Sequence, residues 1–265
     1  MKATFLGTGC ALVLERYNTC FLLEEGDRKL LVDAGGGNEI LVRLHKLGVP
    51  VTSIGAMFVT HSHSDHILGT PWVIRAVATA MAEQGYTGTF TVAGCRETLS
   101  QVRTICEMIL GKKMTKYFDS QILFREVTDG EKLDLGGFSI QTFDIGSKKM
   151  KQFGFQLDLP QGGQVCFAGD EPVKESTEGY ARGAKWLFSE AYCLYEDRER
   201  YQPYARSHVT SLDAAELANR LQVKNLVLYH TEDYGPDRKD RMTREAKTVY
   251  SGRVFVPEDM EAIEL

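Results

Sequence analysis

The chain reads Thr60-His61-Ser62-His63-Ser64-Asp65-His66 directly after an apolar segment at 55–59, and this loop holds three of its six histidines. Imidazole and carboxylate groups are common ligands of Zn²⁺, Mn²⁺ and iron. His61 and His63 are two residues apart at the end of a predicted strand, so their side chains project to the same side. Asp65 and His66 are adjacent and leave the backbone in different directions, toward a second ion. The loop therefore predicts a metal site with one or two ions.

Other candidate ligands stand at the ends of predicted elements elsewhere in the chain. Asp170 follows the apolar segment 165–169, and His230 directly follows another at 225–229. His208 precedes a predicted helix at 211–221, whereas His45 lies within a predicted helix and is interpreted as structural. Five of the six histidines thus lie at element ends. This placement favours one shared site of the type in which two-metal hydrolases activate water.

Composition and periodicity predict an α/β or mixed α+β protein, plausibly layered as a sandwich. The chain has 265 residues, 43% hydrophobic and 25% charged, which excludes long disorder and suits one large domain or two small ones. Predicted strands and helices alternate, and several strands form hairpin-like pairs. The best-specified helix, at 211–221, has Thr210 as its N-cap and Asp213 at its third position. Its predicted inner stripe is Leu212, Ala215, Ala218 and Leu221.

The net charge, the apolar runs and the cysteines limit the classes of protein to which the chain can belong. The net charge of −5 argues mildly against a dedicated nucleic-acid binder. No apolar run approaches the ~18–20 residues of a membrane span, and the first residues read as a strand rather than a signal peptide. Six cysteines without a C-x-x-C pair indicate buried, reduced thiols. The expectation is a soluble, cytoplasmic protein.

The loop at 61–66 matches the H-x-H-x-D-H signature of the metallo-β-lactamase superfamily, and the chain resembles the ribonuclease Z-like branch along nearly its whole length. Further segments match that branch in order and spacing: 5–9, 31–35, 167–170, 189–191, 207–210 and 226–230. The resemblance implies an α/β (α+β) fold, a four-layer αββα sandwich of the metallo-β-lactamase type. It also implies a single metallo-β-lactamase-like domain over residues 1–265.

The resemblance further implies which side chains bind the metal. His61 and His63 would bind the first ion. Asp65, His66 and His230 would bind the second. Asp170 would bridge both ions with its two carboxylate oxygens. The implied cofactor is Zn²⁺, as one or two ions, with Mn²⁺ or iron as alternatives.

Three side chains carry catalytic roles in the same resemblance. Asp65 also orients or deprotonates the bridging water. Glu190 and His208 match a Glu–His pair that helps to protonate the leaving oxygen in ribonuclease Z. A carboxylate beside an imidazole fixes its tautomer and raises its pKa, which suits a proton donor near neutral pH.

The chain departs from the branch at one metal ligand. The family supplies a further histidine to the first metal position from the loop before Gly154, but the matching stretch 143–148 contains none. Gly146 or Ser147 stands at the expected place, and Asp144 is a candidate substitute. We therefore expect the second position to bind its ion more firmly. The first is expected to be weak, empty or filled by an atypical metal.

A second departure concerns the substrate. Ribonuclease Z grips tRNA with a protruding Gly/Pro-rich arm, and no such insertion precedes residue 165, because residues 70–120 read as compact helices around a short strand. This favours smaller phosphodiesters, such as cyclic nucleotides or phospholipid-derived esters. The expected partner is a small phosphorylated molecule. Nucleic acid is disfavoured as a partner, and no membrane partner is expected. A homodimer is a possible assembly.

The leading hypothesis is a metal-dependent hydrolase, namely a phosphodiesterase in which metal-bound hydroxide attacks phosphorus and His208 protonates the departing alkoxide. Lys148, Lys149 and Lys151, near the altered loop, are candidates for binding the phosphate. Three alternatives stay open. They are a lactonase or thioesterase that uses the same site, a tRNA 3′-end endoribonuclease, and a non-catalytic binding protein with a partly decayed metal site.

Overall fold

The computed structural model describes residues 1–265. The strands, numbered in chain order, are β1 Lys2–Gly7, β2 Cys20–Glu25, β3 Arg28–Val32, β4 Ala56–Phe58, β5 Phe90–Gly94, β6 Ile122–Glu126, β7 Lys132–Leu135, β8 Phe138–Asp144, β9 Phe153–Asp158, β10 Gln164–Phe167, β11 Trp186–Glu190, β12 Asn225–Tyr229, β13 Arg253–Phe255 and β14 Glu261–Glu264. The α-helices are α1 Glu39–Lys46, α2 Ser64–Ile67, α3 Thr70–Glu83, α4 Arg96–Ile109, α5 Lys112–Thr115, α6 Glu178–Ala181, α7 Arg198–Tyr201, α8 Ser211–Arg220 and α9 Arg238–Ala246.

The strands form two seven-stranded mixed sheets. The first has the order β14-β1-β2-β3-β4-β5-β6, and the second has the order β13-β12-β11-β10-β9-β8-β7. In the first sheet β3 to β6 run parallel, and in the second β10 to β13 do so. The register of the second sheet sets Leu187 of β11 opposite Cys166 of β10 and Leu226 of β12. All three side chains are buried in one cluster on the same face of the sheet.

Aromatic side chains fill the space between the two sheets. Phe21 of the first sheet meets Phe167 of the second edge-to-face, with ring centroids 5.0 Å apart. Phe58 and Phe155 make a similar contact at 5.3 Å. Such edge-to-face pairs add to the stabilisation from burying the rings themselves. This apolar layer fixes the two sheets face to face.

Helices cover the outer face of each sheet. Apolar side chains of α1, α3 and α4 pack on the first sheet in one buried cluster, and those of α6, α8 and α9 pack on the second sheet in another. The layers are therefore helix, sheet, sheet, helix. The predicted α/β fold with its αββα sandwich is confirmed. No helix of the structure has the length and apolar character needed to cross a membrane.

The helix predicted at 211–221 is observed as α8 with its predicted cap. The backbone N–H of Asp213 donates to Thr210 Oγ1 at 3.2 Å, and the N–H of Thr210 donates to Asp213 Oδ2 at 2.9 Å. The inner stripe differs at one position, because Leu212 is only partly buried and Ala214 is fully buried. The other three predicted inner residues are buried as expected.

Some elements carry too weak a sequence signal to be predicted. No strand is predicted from the sequence at Glu261–Glu264, where β14 follows β13 and pairs with β1 at the edge of the first sheet. Helix α9 buries only Arg238, Met242 and Ala246 among nine mostly polar residues, so its apolar stripe is faint. All six cysteines are unpaired and buried, as predicted.

Candidate metal centre

The predicted ligands meet where parallel strands of both sheets end. The loop at 61–66 follows β4 of the first sheet, Asp170 follows β10 and His230 follows β12 of the second. Glu190 is the last residue of β11, between those two strands. Because the carboxyl ends of parallel strands share one sheet edge, four distant segments of the chain converge there.

The first group of ligands consists of two imidazoles and one carboxylate. His61 Nε2 and His63 Nδ1 lie 2.8 Å apart. Asp170 Oδ2 lies 3.4 Å from His61 Nε2 and 4.0 Å from His63 Nδ1. The two nitrogens and the oxygen thus surround a gap about as wide as a single atom.

The second group lies beside the first and shares Asp170 with it. Asp65 Oδ2 is 3.4 Å from His66 Nε2 and 3.5 Å from His230 Nε2. Asp170 Oδ2 is 3.7 Å from His66 Nε2 and 3.9 Å from His230 Nε2. The structure therefore brings all six predicted ligands into one cluster, although their roles as ligands stay predictions.

The donor atoms of this cluster fit a divalent cation. His66 Nε2 and His230 Nε2 are buried and have no hydrogen-bond partner, which is unusual for buried polar atoms. Two atoms bound tetrahedrally to zinc at ~2.0 Å lie about 3.3 Å apart, close to the three shortest nitrogen–oxygen distances observed here, 3.4, 3.4 and 3.5 Å. Nitrogen and carboxylate oxygen are also the donor types that zinc prefers. A cation held by these groups would satisfy the unpartnered imidazoles.

Buried Asp33 fixes the imidazole tautomers, a role that the sequence did not reveal. His66 Nδ1 donates to Asp33 Oδ2 at 2.8 Å, so in the neutral imidazole His66 Nε2 carries the lone pair that can bind a cation. Thr60 Oγ1 donates to the same oxygen at 2.7 Å and therefore accepts from His61 Nδ1 at 2.9 Å. The lone pair of His61 Nε2 is then free as well. Asp33 had appeared only within the matching segment 31–35.

Burial and nearby charges shift the pKa values of the cluster. Burial raises the pKa of Asp65, but nearby His66 and His230 lower it more, so the pKa lies far below its ordinary value. Burial likewise raises the pKa of Asp170, and His61 leads the groups that lower it well below the ordinary range. Burial and His61 lower the pKa of His63 to about 4. Burial lowers the pKa of His66, but Asp65 and Asp33 outweigh this and bring it well above the ordinary value, so a cation bound at His66 Nε2 would displace a proton.

Glu190 and His208 form a pair beside the second group of ligands. Glu190 Oε2 lies 3.7 Å from His208 Nδ1, while its other oxygen accepts from the N–H of Val209 at 2.7 Å. Burial raises the pKa of Glu190. Burial lowers the pKa of His208, but nearby Glu190 outweighs this and brings it above the ordinary value. The ring of His208 stacks on Tyr192 with centroids 4.7 Å apart and planes 9° apart.

The cluster opens into a cleft of about 390 Å³. Five further residues line the cleft beside the predicted site residues: Lys149, Arg206, Tyr192, Ala11 and Leu12. Two of them are cationic, one is aromatic and two are apolar. Of the five, only Lys149 was named from the sequence. Of the three lysines proposed to bind phosphate, only Lys149 lines the cleft. Lys151 instead pairs with the carboxylate of Asp144.

The altered loop places no side chain of 143–148 in the ligand cluster. Asp144, the candidate substitute, pairs with Lys151, and Ser147 Oγ donates to Glu171 Oε1 at 2.7 Å. The expected bridging role of the two Asp170 oxygens stays a prediction, and the two oxygens differ in their partners. Only Oδ2 faces the imidazoles, because Oδ1 accepts from Gln152 Nε2 at 2.5 Å.

Curated proteins match the chain along its full length. Ribonuclease Z from Mycobacterium bovis is 26% identical over 278 residues, covering all of this chain and 98% of that protein. Ribonuclease Z from Natronomonas pharaonis is 25% identical over 311 residues, with the same two coverages. The predicted ribonuclease Z-like resemblance and the hydrolase class are confirmed by these matches.

Solved structures share the fold at low sequence identity. The metallo-β-lactamase fold protein YhfI from Bacillus subtilis superposes with a TM-score of 0.79 at 22% identity, covering 99% of this chain and 98% of that one. The short form of human tRNase Z gives a TM-score of 0.75 at 20% identity, covering 100% and 99%. These likenesses establish the metallo-β-lactamase fold.

A family profile extends over almost the entire sequence. The family described as anti-Pycsar protein Apyc1 matches residues 1–255 of the 265. The match spans the loop after β4, every strand except β14 and every residue of the cleft. This chain therefore belongs to the anti-Pycsar Apyc1 family, within the metallo-β-lactamase superfamily.

Proposed function

We propose that this chain is a metal-dependent phosphodiesterase that acts on a small phosphodiester. One observation carries the proposal: four of the six predicted ligands, His208 and two cationic side chains, Lys149 and Arg206, line a single cleft, and the other two ligands and Glu190 lie beside these residues. A site built for phosphoryl transfer needs these three components, because charge must be stabilised on phosphorus oxygens and a proton must reach the leaving group.

The proposed ligands divide into two positions with one shared carboxylate. The first position uses His61 and His63, and Asp170 serves both. The second uses Asp65, His66 and His230. A zinc ion bound here supplies Lewis acidity toward a phosphoryl oxygen and makes a water molecule a stronger acid. Asp65, being ionised, accepts a hydrogen bond from the attacking water and orients it.

The remaining chemistry is done by residues on the second sheet. His208 donates a proton to the leaving oxygen, and Glu190 stabilises the charged imidazole from 3.7 Å. Tyr192 stacks on His208 and fixes the plane of its ring. Lys149 and Arg206 stand in the wall of the cleft and attract the phosphate.

The size of the cleft supports a small substrate. A volume of about 390 Å³ falls in the range of small-molecule sites. Residues 70–120 form α3, β5, α4 and α5, and buried side chains of all but short α5 join the core over the first sheet. We therefore favour a cyclic nucleotide or a phospholipid-derived ester over a tRNA.

The test compares substrate classes on one zinc-loaded preparation. We expect turnover of bis(p-nitrophenyl) phosphate that exceeds turnover of p-nitrophenyl acetate, a lactone and a thioester. Asp65→Asn is expected to abolish turnover, whereas His45→Ala, on the exposed face of α1, leaves it unchanged. Preferential hydrolysis of the carboxylic esters would reject the phosphodiesterase and favour a lactonase or thioesterase.

A tRNA 3′-end endoribonuclease is the second candidate, because the full-length relatives described above are named ribonuclease Z. A precursor tRNA with a 3′ trailer distinguishes the two functions. Cleavage of the trailer at a defined position would support the endoribonuclease. Elemental analysis of the same preparation tests the alternative of a non-catalytic binding protein. That alternative predicts a zinc content near zero and no turnover after zinc is added.

A further inference from the structure

Gln152 is a fully buried amide that the proposed reaction does not use. It comes directly before β9, and its carbonyl accepts from the N–H of Ile145 at 3.1 Å, which closes the altered loop. Its side-chain Nε2 donates to Asp170 Oδ1 at 2.5 Å. The altered loop, which lacks the family's histidine, thus ends in a residue that contacts the carboxylate of Asp170.

The orientation of this amide follows from the chemistry of its partner. An ionised carboxylate only accepts hydrogen bonds, so the nitrogen of Gln152 faces Asp170 and the oxygen points away. That oxygen, Oε1, is buried and has no hydrogen-bond partner. A buried acceptor without a donor is destabilising. An apolar side chain of the same size would avoid this cost but would leave Asp170 Oδ1 without a donor, so the amide is explained by its contact with Asp170 rather than by packing.

The contact decides which oxygen Asp170 offers to the cluster. With Oδ1 held by Gln152, Oδ2 alone faces the imidazoles. Its distances to the four nearest imidazole nitrogens are 3.4, 3.7, 3.9 and 4.0 Å, on His61, His66, His230 and His63 respectively. Because the loop at 143–148 adds no imidazole, the first position depends heavily on this one oxygen.

We propose that Gln152 is a positioning residue for the metal site: by holding Asp170 Oδ1, it aims Oδ2 at both ligand groups and strengthens zinc binding. The proposal rests on the metal site of the proposed function. Groups that orient a ligand in this way typically change metal affinity by about 10–100-fold. A residue that acts only through packing would instead change the stability of the metal-free protein.

The test measures zinc affinity by competition with a chromophoric chelator. Gln152→Met keeps the size of the side chain and removes the donor, so we expect zinc to bind about 10–100-fold more weakly. The substitution removes the unpartnered Oε1 but leaves Asp170 Oδ1 without its donor, so we expect the unfolding temperature of the metal-free variant to stay close to that of the metal-free wild type. Gln156→Met is the matched control. Gln156 lies on β9. Its Nε2 donates hydrogen bonds to Gln164 Oε1 and to the carbonyl oxygen of Tyr180, and not to a residue of the ligand cluster.

Two further measurements keep the result decisive. Gln152→Asn retains an amide but withdraws it by one methylene, and it should also weaken zinc binding if Gln152→Met does not fold. With Co²⁺ as the probe, the visible spectrum of a folded Gln152 variant should differ from the wild type, because Oδ1 is released. Zinc affinity within twofold of the wild type in the folded variants would overturn the role of Gln152. Failure of the wild type itself to bind zinc would instead overturn the proposed function.

Discussion

At the scale of single residues, the site is organised by side chains that touch no substrate. Thr60 and Asp33 form a chain of hydrogen bonds that ends on two imidazoles, His61 and His66. Each bond fixes which ring nitrogen carries the proton. The ligand atoms are therefore oriented before a cation arrives, which reduces the entropy lost on binding.

Asp33→Asn tests this arrangement. The amide cannot accept from Thr60 and His66 with both of its terminal atoms, so the tautomer of His66 is no longer fixed. We expect zinc affinity to fall about 10–100-fold, measured by chelator competition. Asp27→Asn, on the exposed turn between β2 and β3, is the control and should bind zinc like the wild type. Equal affinity for the two variants would contradict the prediction.

Glu190→Gln tests the proton donor. The substitution keeps the shape but removes the charge that raises the pKa of His208. We expect kcat on a phosphodiester to fall by about 10²–10⁴, because the general acid is no longer charged in the bound complex. Zinc content, measured by elemental analysis, should be unchanged. A loss of zinc in step with the loss of kcat would show instead that Glu190 supports the metal.

At the scale of elements, strand ends and helix starts place the proposed catalytic side chains. Helix α8 begins at Ser211, directly after the segment that carries His208 and Val209. The Thr210–Asp213 capping box fixes this start, and the N–H of Val209 is held by Glu190. The cap of the helix thereby fixes the backbone beside His208.

Thr210→Ala should lower the free energy of unfolding by about 0.5–2 kcal/mol, because it removes an N-cap acceptor. The measurement is urea unfolding at fixed zinc concentration. Thr104→Ala, at an exposed position within α4, is the control and should change stability by less than about 0.5 kcal/mol. An unchanged stability for Thr210→Ala would show that the capping box contributes nothing.

The same scale explains what the sequence could predict. The ligands after β4, β10 and β12 were found because each follows a short apolar strand, and the cap of α8 because its signal is local. Gln152 and Asp33 were not assigned their roles, since only tertiary packing brings them to Asp170 and His66. Tyr192 and Arg206 were missed because a cleft is lined by segments that no local pattern connects.

At the scale of the whole molecule, the metal site joins the two sheets. Four candidate ligands stand on the loop after β4 of the first sheet, and Asp170 and His230 follow strands of the second. The aromatic layer between the sheets holds these halves in register. A cation bound by both halves stabilises the folded state over the unfolded chain, in which the ligands are dispersed.

Removing zinc with a chelator should therefore lower the unfolding temperature. At a free zinc concentration 100 times the dissociation constant, binding stabilises the fold by about 2.7 kcal/mol. Differential scanning calorimetry at increasing zinc concentrations is the measurement. Asp170→Asn, which weakens the shared ligand, should abolish the dependence on zinc. A zinc-dependent shift that survives this substitution would place the ion elsewhere.

The division of the ligands between two sheets also bears on how an ion escapes. Because ligands from the two sheets hold the cation together, any relative movement of the sheets at that edge changes the distances between them and should loosen the ion. Isotope exchange of bound zinc would then report the frequency of this movement. Substitutions in the aromatic layer, far from any imidazole, would accelerate the exchange without altering the coordinating atoms.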